Sequence, residues 1–209
     1  MENLSTTTRS VLIGVDIQND FVSGSLAVKD GAAVIEPTNT LSTAIRKTGG
    51  DVILTRDWHP AETPHFGPNA WPVHCVADTE GADFTPTLIV EPTDIILSKG
   101  MGQTDGYSGW EGVSESGETL ESIIEPKSAK ETVRVFIGGL ATDYCVKATG
   151  IDVATFFADN ERVTTYLVRD AVRAVALKEA DEANALKALK DAQVIALSTE
   201  EARALIEEV

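Results

Sequence analysis

The stretch VLIGV at residues 11–15 decides the fold class of this chain. It is a short, uninterrupted apolar run, and such runs are typical of strands that are buried on both faces of a parallel sheet. Similar runs predict further strands at residues 51–55, 94–98, 133–139, 162–168 and 193–197, with helices near residues 33–48, 145–159 and 176–190. This alternation predicts an α/β fold, namely a three-layer, doubly wound, mainly parallel six-stranded sheet with helices on both faces.

The composition limits the classes of function. At 209 residues the chain is expected to form one domain, residues 1–209, and its 43% of hydrophobic residues is normal for a globular protein. Its 17 lysines and arginines against 33 aspartates and glutamates give a net charge of −16. This charge repels phosphate backbones and anionic lipids, so we expect neither nucleic acid nor a membrane as a partner.

Neither a targeting segment nor a membrane span is expected. The N-terminal residues carry no basic region before an apolar run, and that run is broken by Asp16. No stretch approaches the roughly 18–20 apolar residues that span a bilayer. We therefore predict a cytoplasmic protein whose two cysteines, Cys75 and Cys145, stay reduced.

The connection at residues 56–93 interrupts the alternation of strands and helices. It holds six of the eight prolines, all three histidines and two of the three tryptophans. A connection of this length is uncommon in a compact domain and is usually functional or disordered. Because its aromatic residues argue against disorder, we expect an excursion that carries a functional site.

The histidines of this excursion predict a metal site. Asp57 and His59 directly follow the second strand, at the carboxyl edge where open α/β sheets bind ligands, and His65 and His74 lie further along the excursion. Three imidazoles and one carboxylate suit zinc, iron or manganese. The alternative is three unrelated loop histidines, but their confinement to one proline-stiffened segment favours a site for one divalent metal ion.

Three residues that are distant in sequence occupy equivalent places after strands. Asp16 follows the first strand, Lys99 the third and Cys145 the fourth, so all three are expected at the carboxyl edge. There Asp16 could act as a base, Lys99 as a cation and Cys145 as a nucleophile, its thiolate stabilised at the start of a helix. Alternatively, Asp16 could cap a turn, Lys99 could be a solvated strand end and Cys145 could be a small buried apolar residue.

Two further features concern the surroundings of this edge. Cys75 is the rival nucleophile because His74 precedes it, but neighbours on an extended chain point to opposite sides, so we expect Cys75 to be structural. The glycine-rich residues 100–112 lack the Gly-Lys-Ser/Thr of a phosphate-binding loop. We interpret them as a mobile wall of a pocket.

Five motifs together resemble the nicotinamidases of the isochorismatase-like cysteine hydrolase superfamily. They are VDIQNDF (15–21), GSLAV (24–28), the TRDWH…H…WPVHC run (55–75), SKG (98–100) and GGLATDYCV (138–146), and the resemblance extends from about residue 11 to 198. It implies an isochorismatase-like fold and hydrolysis of nicotinamide to nicotinate and ammonia through a cysteine thioester, in NAD salvage. The Asp-x-His, His, His set is the narrower match, because it marks the nicotinamidase branch.

The resemblance also implies a role for each matching residue. Asp16 would be the general base, Lys99 its charged partner and Cys145 the nucleophile. The metal would bind the pyridine nitrogen. Zinc is the metal expected first, with iron or manganese as alternatives. A cis peptide bond at Leu140–Ala141 would aim the Ala141 N–H, beside that of Cys145, into an oxyanion hole. The implied metal ligands are Asp57, His59, His65 and His74, and the implied substrate contacts are Phe21, Trp71 and Tyr107.

Several alternatives stay open at the level of the sequence. The chain could be another small-amide or carbamoyl hydrolase of the same superfamily, a metallohydrolase that attacks with metal-bound hydroxide, or a non-catalytic binding protein. Tyr144 stands where many relatives have histidine, and its effect on the pocket is not evident. The sequence also leaves open the metal, the acceptance of pyrazinamide-like analogues and the formation of a homo-oligomer.

Overall fold

All six strands of the sheet are parallel. The computed structural model describes residues 6–67, 70–102 and 106–208. Its strands lie side by side in the order β3-β2-β1-β4-β5-β6, and every neighbouring pair is parallel. Their bounds are β1 Thr7–Val15, β2 Asp51–Asp57, β3 Ile95–Lys99, β4 Glu131–Leu140, β5 Val163–Arg173 and β6 Ile195–Leu197. The predicted α/β class is confirmed.

The helices follow the strands in the expected alternation. The α-helices are α1 Asn19–Val22, α2 Ile35–Lys47, α3 Leu120–Ile124, α4 Lys147–Phe156, α5 Asp181–Asp191 and α6 Thr199–Glu207. Short 3₁₀ turns cover Gly31–Val34, Glu80–Ala82 and Gly109–Glu111, and a π-helical turn covers Thr142–Val146. The sequence-based bounds were least accurate for β5, which continues to Arg173, and for α5, which begins only at Asp181.

The helices cover both faces of the sheet because successive strand residues point to opposite sides. On β1, Leu12 belongs to the apolar cluster that includes Leu41 of α2 and Ile206 of α6. Its neighbours Val11 and Ile13 belong to the other cluster, which also contains residues of α3, α4 and α5. All three of these β1 side chains are fully buried. The result is the predicted three-layer arrangement.

The carboxyl edge of the sheet is shaped by two unusual backbone positions. Directly after β1, Asp16 has a φ of +49°, which turns the chain out of the strand direction. In the neighbouring strand, Gly139 has a φ of +119°, and a Cβ atom there would lie 2.1 Å from the carbonyl oxygen of Val15. Only glycine fits at that position. The two strands can therefore approach closely where the candidate site begins.

The described helices include none that is both long and apolar enough to cross a bilayer.

Candidate active site

The ammonium group of Lys99 is the centre of the site. Its Nζ lies 2.9 Å from Oδ2 of Asp16 and 2.5 Å from Oδ1 of Asp57, and it donates a hydrogen bond of 2.9 Å to the carbonyl of Gly106. The same Nζ lies 3.6 Å from Sγ of Cys145. Lys99 ends β3 and Asp16 follows β1, so the lysine reaches across the intervening β2. The three residues that the sequence placed at this edge are therefore together.

Burial and mutual charge determine how these groups ionise. Asp16 and Lys99 are almost completely buried. Burial raises the pKa of Asp16 above its ordinary value, although the charge of Lys99 opposes this rise. Burial disfavours the charged lysine, but the charges of Asp16 and Asp57 prevail and raise the pKa of Lys99 well above its ordinary value. The lysine is therefore a permanent cation between two carboxyl groups.

Cys145 lies in the π-helical turn that follows β4. Burial raises the pKa of this thiol well above its ordinary value, even though the charge of Lys99 acts in the opposite direction. We expected a thiolate stabilised by the start of a helix, and this expectation was wrong for the buried site because desolvation outweighs the nearby cation. A carboxylate oxygen of Asp16 lies within 4.8 Å of Sγ of Cys145, so Asp16 is placed to accept the thiol proton.

The peptide bond between Leu140 and Ala141 is cis, as the family resemblance implied. It joins the end of β4 to the turn that carries Cys145. The carbonyl of Ala141 accepts hydrogen bonds from the N–H groups of Tyr144 and Val146, each at 3.1 Å. The turn thereby folds back on Ala141 and brings Cys145 and Ala141 to the same pocket.

The three histidines form a compact cluster beside Lys99. One ring nitrogen from each of His59, His65 and His74 lies within 4.8 Å of the others, and all three residues are buried. Oδ2 of Asp57 lies 3.5 Å from Nε2 of His59 and 3.9 Å from Nε2 of His74. Asp57 therefore directs one carboxylate oxygen to Lys99 and the other to the histidines.

The hydrogen bonds of two histidines fit a bound cation. Nδ1 of His59 lies 2.9 Å from the carbonyl of Gly100, and Nδ1 of His74 lies 2.7 Å from the carbonyl of Pro72. Because a carbonyl only accepts, each Nδ1 carries a proton, which leaves Nε2 as the ring nitrogen that can bind a metal ion. Nε2 of His59 is buried and has no hydrogen-bond partner among the residues that the structure describes. A divalent metal ion would satisfy this atom.

The ionisation of the neighbouring groups agrees with that fit. Burial lowers the pKa of His74, which favours the neutral, ligating imidazole. Burial alone would raise the pKa of Asp57, but Lys99 and His59 together bring it well below its ordinary value. The four predicted ligands thus bring one carboxylate and three imidazole rings together in a buried, polar cluster.

A pocket connects the cysteine with the histidine cluster. All three predicted substrate contacts line it, as do two residues of the GSLAV motif and Val175, which sequence reasoning did not identify. The lining residues are Phe21, Leu26, Val28, Asp57, His65, Trp71, His74, Tyr107, Ala141, Tyr144, Cys145 and Val175. Its walls are mostly apolar and aromatic, which suits a flat, uncharged ring.

One wall of the pocket is an aromatic group drawn from three segments. Nε1 of Trp71 donates a hydrogen bond of 2.8 Å to the hydroxyl of Tyr107. The ring of Tyr144 packs edge-on against Trp71, with centroids 4.9 Å apart, and lies 5.7 Å from the ring of Tyr107. The glycine-rich segment is thus a pocket wall through Tyr107, whereas its residues 103–105 lie outside the described ranges. Tyr144 is part of the pocket.

Sequence reasoning also missed Asp143, which anchors the cysteine turn. Its two carboxylate oxygens accept the N–H groups of Val175 and Ala176, each at 2.9 Å. These contacts tie the segment after β5 to the turn and place Val175 in the pocket wall. Asp143 and Val175 are 32 residues apart in the sequence, so no local pattern indicates their contact.

Cys75 is fully buried, as expected for a structural cysteine, but it does not lie in the extended chain that we predicted. The chain is not extended at Cys75, because its φ is +44°. Its N–H is bound by the carboxylate of Asp20 at 2.8 Å, and burial raises the pKa of its thiol. Cys75 is absent from the lining of the pocket that holds Cys145.

The comparison with protein families agrees with this site. The model of the isochorismatase domain matches residues 10–201. The chain belongs to the isochorismatase family. The predicted membership is thereby confirmed.

Relatives of this isochorismatase-family protein include nicotinamidases and pyrazinamidases. It is 38% identical over 149 residues to the nicotinamidase/pyrazinamidase of Mycobacterium tuberculosis, which covers 68% of this chain and 76% of the relative. The structure of the pyrazinamidase of Pyrococcus horikoshii in complex with zinc is similar, with a TM-score of 0.74 and 34% identity over 91% of this chain and 99% of the other. The structure of PnC1 from L. infantum in complex with nicotinate has a TM-score of 0.75 and 31% identity, covering 94% and 98% of the two chains.

Proposed function

We propose that this protein is a nicotinamidase, which hydrolyses nicotinamide to nicotinate and ammonia through a thioester on Cys145. The observation that carries the proposal is a pocket lined by Cys145 together with Asp57, His65 and His74, behind which the ammonium of Lys99 lies 2.9 Å from Asp16 and 3.6 Å from Sγ of Cys145. The nicotinamidase/pyrazinamidase and the nicotinate complex among its relatives support this choice of substrate. We assign the activity to one domain, residues 1–209, with the metal-binding excursion at residues 56–93.

The first half-reaction forms the thioester. Asp16 accepts the proton of the Cys145 thiol, and the sulfur attacks the carboxamide carbon. The backbone N–H groups of Ala141 and Cys145 stabilise the oxyanion, and the loss of one such donor typically costs about 10²–10³ in rate. Asp16 returns its proton to the leaving nitrogen, the C–N bond breaks and ammonia departs. Lys99 keeps its charge beside Asp16 and the sulfur throughout.

The second half-reaction releases the acid. Asp16 accepts a proton from water, whose oxygen attacks the thioester carbon, and the C–S bond breaks. The proton on Asp16 passes to the departing sulfur, so the thiol and the carboxylate are both restored. General-base assistance of this kind contributes about 10²–10⁴ in rate. The carboxylic acid product loses its own proton to solvent as nicotinate.

The proposed metal ligands are Asp57, His59, His65 and His74. A divalent ion held there supplies a Lewis acid that can accept the lone pair of a pyridine nitrogen. We propose zinc because three imidazoles and one carboxylate form a mixed nitrogen and oxygen set that zinc accepts, and because a related pyrazinamidase was solved with zinc. Phe21, Trp71 and Tyr107 would enclose the ring.

The cellular setting is proposed from the chemistry of the thiol. Cys75 and Cys145 are both free and buried, and a catalytic thiol functions in a reducing compartment. We therefore propose a cytoplasmic enzyme of NAD salvage, acting on a small molecule.

The decisive experiment measures ammonia release from nicotinamide by zinc-loaded protein, by chelator-treated protein and by the C145A variant. We expect release that requires both zinc and Cys145, with C75A as the matched control that retains activity. Mass spectrometry after acid quenching should show an acyl adduct on Cys145 in the parent protein.

Two outcomes would contradict parts of this proposal. Turnover that persists in C145A would favour attack by metal-bound hydroxide and overturn the thioester. A zinc-loaded protein that releases no ammonia from nicotinamide would overturn the substrate, and other small amides and carbamoyl compounds would then be assayed.

A further inference from the structure

The side chain of Gln18 is fully buried next to the proposed metal ligands and does not enter the pocket lining. Its Nε2 donates to the carbonyl of Asp57 and to the carbonyl of Ala82, each at 2.8 Å. Its Oε1 accepts the N–H of Asp57, also at 2.8 Å. Both donor hydrogens of the carboxamide are therefore used, and both bonds to Asp57 involve its backbone.

The bonds from Gln18 to Asp57 take the place of the hydrogen bonds that β1 would form with β2 if β1 continued. The register between β1 and β2 stops at the pair Val15–Thr55, because the chain turns away at Asp16. Asp57 lies two residues further along β2 and pairs with Lys99 of β3 on one side only. On its other side, the carboxamide of Gln18 offers one donor and one acceptor, as a neighbouring strand would. Gln18 thus binds both backbone polar groups of Asp57, while on the β3 side the N–H of Trp58 binds the carbonyl of Lys99 at 2.9 Å.

The orientation of Asp57 matters because its two oxygens serve different partners. Oδ1 contacts Lys99, and Oδ2 faces Nε2 of His59 and of His74. A rotation of the Asp57 backbone would move both oxygens away from these partners at once. Since Asp57 ends β2, the strand ladder alone would leave one edge of this residue unpaired.

The bond to Ala82 connects Gln18 with the end of the excursion. After His74, the chain returns past Cys75 to the 3₁₀ turn Glu80–Ala82. Asp20 binds the N–H of Cys75, and Gln18 binds the carbonyl of Ala82. The segment that follows β1 therefore holds the strand end that carries Asp57 and the return of the excursion that carries His74 in one arrangement.

We propose that Gln18 is a positioning residue of the metal site, which sets the geometry of Asp57 relative to the histidines. This inference rests on the proposed metal site but not on the substrate. Outer residues that orient metal ligands typically contribute 10–100-fold to metal affinity. Gln18 contacts no reacting atom in this scheme and acts only through Asp57.

The test compares zinc binding by Q18E and Q18M with that of the parent protein. In Q18E a carboxylate oxygen faces two carbonyls, so at least one of them loses its donor. Q18M keeps the approximate volume and removes all three hydrogen bonds. We expect the Kd for zinc, measured by competition with a chromophoric chelator, to rise about 10–100-fold in both variants. The visible spectrum of the cobalt(II)-loaded protein should also change, because the ligand geometry changes.

The matched control is N19A. Nδ2 of Asn19 donates to the carbonyl of Glu80, so it anchors the same return segment without contacting Asp57. Its Kd for zinc and its cobalt spectrum should equal those of the parent protein. The Tm of each variant separates a loss of stability from a loss of ligand geometry, since a purely structural role would lower Tm and leave both metal readouts unchanged.

Unchanged zinc affinity and an unchanged cobalt spectrum in folded Q18E and Q18M would overturn the inference, as would a parent protein that takes up no zinc. Zinc uptake by the parent without ammonia release from nicotinamide would overturn the proposed substrate alone. If both variants fail to fold, Q18N supplies the same measurement, because it keeps the carboxamide and withdraws it from Asp57 by one methylene group.

Discussion

Lys99 shows how a single buried cation organises the site at the scale of one residue. Its ammonium contacts both Asp16 and Asp57, so it compensates one carboxylate of the catalytic group and one of the metal cluster. Removal of one partner from a buried ion pair typically costs 3–5 kcal/mol, because the other charge stays uncompensated. Replacement of Lys99 would therefore affect folding as well as catalysis, which makes smaller changes more informative.

Thr55 provides such a change. Its hydroxyl donates a hydrogen bond of 2.6 Å to Oδ1 of Asp16, and this bond lowers the pKa of Asp16 against the larger effect of burial. Protonated Asp16 cannot accept the thiol proton, so kcat/KM should fall as the pH drops through the pKa of Asp16. T55V removes the bond, and we expect the acidic limb of the kcat/KM profile to move to higher pH.

The control for this prediction is T38V. Thr38 is equally buried, but its hydroxyl donates to the carbonyl of Val34, the residue that precedes α2. Its profile should coincide with that of the parent protein when zinc is saturating at every pH. An acidic limb of T55V that stays in place, or moves to lower pH, would show that Asp16 does not control the limb.

Arg9 joins several elements at the end of the sheet opposite to the site. It lies on β1, and its guanidinium contacts Asp51 of β2 at 2.6 Å and Glu131 of β4 at 3.1 Å. It also donates to the last carbonyls of α3, those of Ile123 and Ile124. One side chain thus connects three strands and a five-residue helix that is too short to be stable alone.

The Arg9 group predicts a pH-dependent contribution to stability. Burial opposes ionisation of Glu131, but the N–H of Lys127 and the guanidinium of Arg9 prevail and lower its pKa. A lowered pKa in the folded state stabilises the fold above the unfolded value near 4.5, and the contribution disappears as the pH falls through the folded pKa. We expect E131Q to lose about 1–3 kcal/mol of unfolding free energy at pH 7, with a smaller difference in acid.

Urea unfolding at several pH values measures this difference, and E207Q is its control. Glu207 pairs with Arg203 on α6, where both side chains are more than half exposed. Such surface pairs contribute about 0–1 kcal/mol. An E131Q variant as stable as the parent at pH 7 would show that Asp51 and the helix carbonyls hold Arg9 without Glu131.

At the scale of the whole molecule, the net charge of −16 is the dominant electrostatic property. Charge of one sign destabilises a compact state through self-repulsion, and salt screens that repulsion. We expect Tm to rise by about 2–4 °C, equivalent to about 1 kcal/mol, between 10 mM and 0.3 M sodium chloride. The same charge remains the reason to expect no retention on nucleic acid or anionic vesicles.

A variant with fewer surface charges tests the origin of this effect. E62Q, E161Q and E179Q change exposed residues on three separate segments, and their combination should show a smaller rise of Tm with salt. Potassium chloride should act like sodium chloride, because screening depends on ionic strength. An equal rise in the parent and the triple variant would point to specific ion binding instead of screening.

The predictability of the fold differed between elements for physical reasons. The strand at residues 11–15 was evident because a strand buried on both faces needs apolar side chains at every position. The end of β5 was missed because Arg169 and Asp170, both exposed, continue the strand where no apolar pattern marks it. The helix α3 was missed because it has only five residues and depends on contacts such as those of Arg9.

The sequence by itself determined the alternation of strands and helices along the chain and the position of the excursion at residues 56–93. It also supplied the residues for a thiol, a base, a cation and a set of metal ligands. These features can be predicted from local composition, because a buried strand is a run of consecutive apolar residues and its polar end follows directly in the sequence. Only the tertiary structure decided that Lys99 reaches across β2 to Asp16, that burial raises the pKa of the Cys145 thiol, and that Gln18 holds Asp57. Such contacts depend on distances between segments far apart in sequence, and desolvation depends on every atom packed around a group.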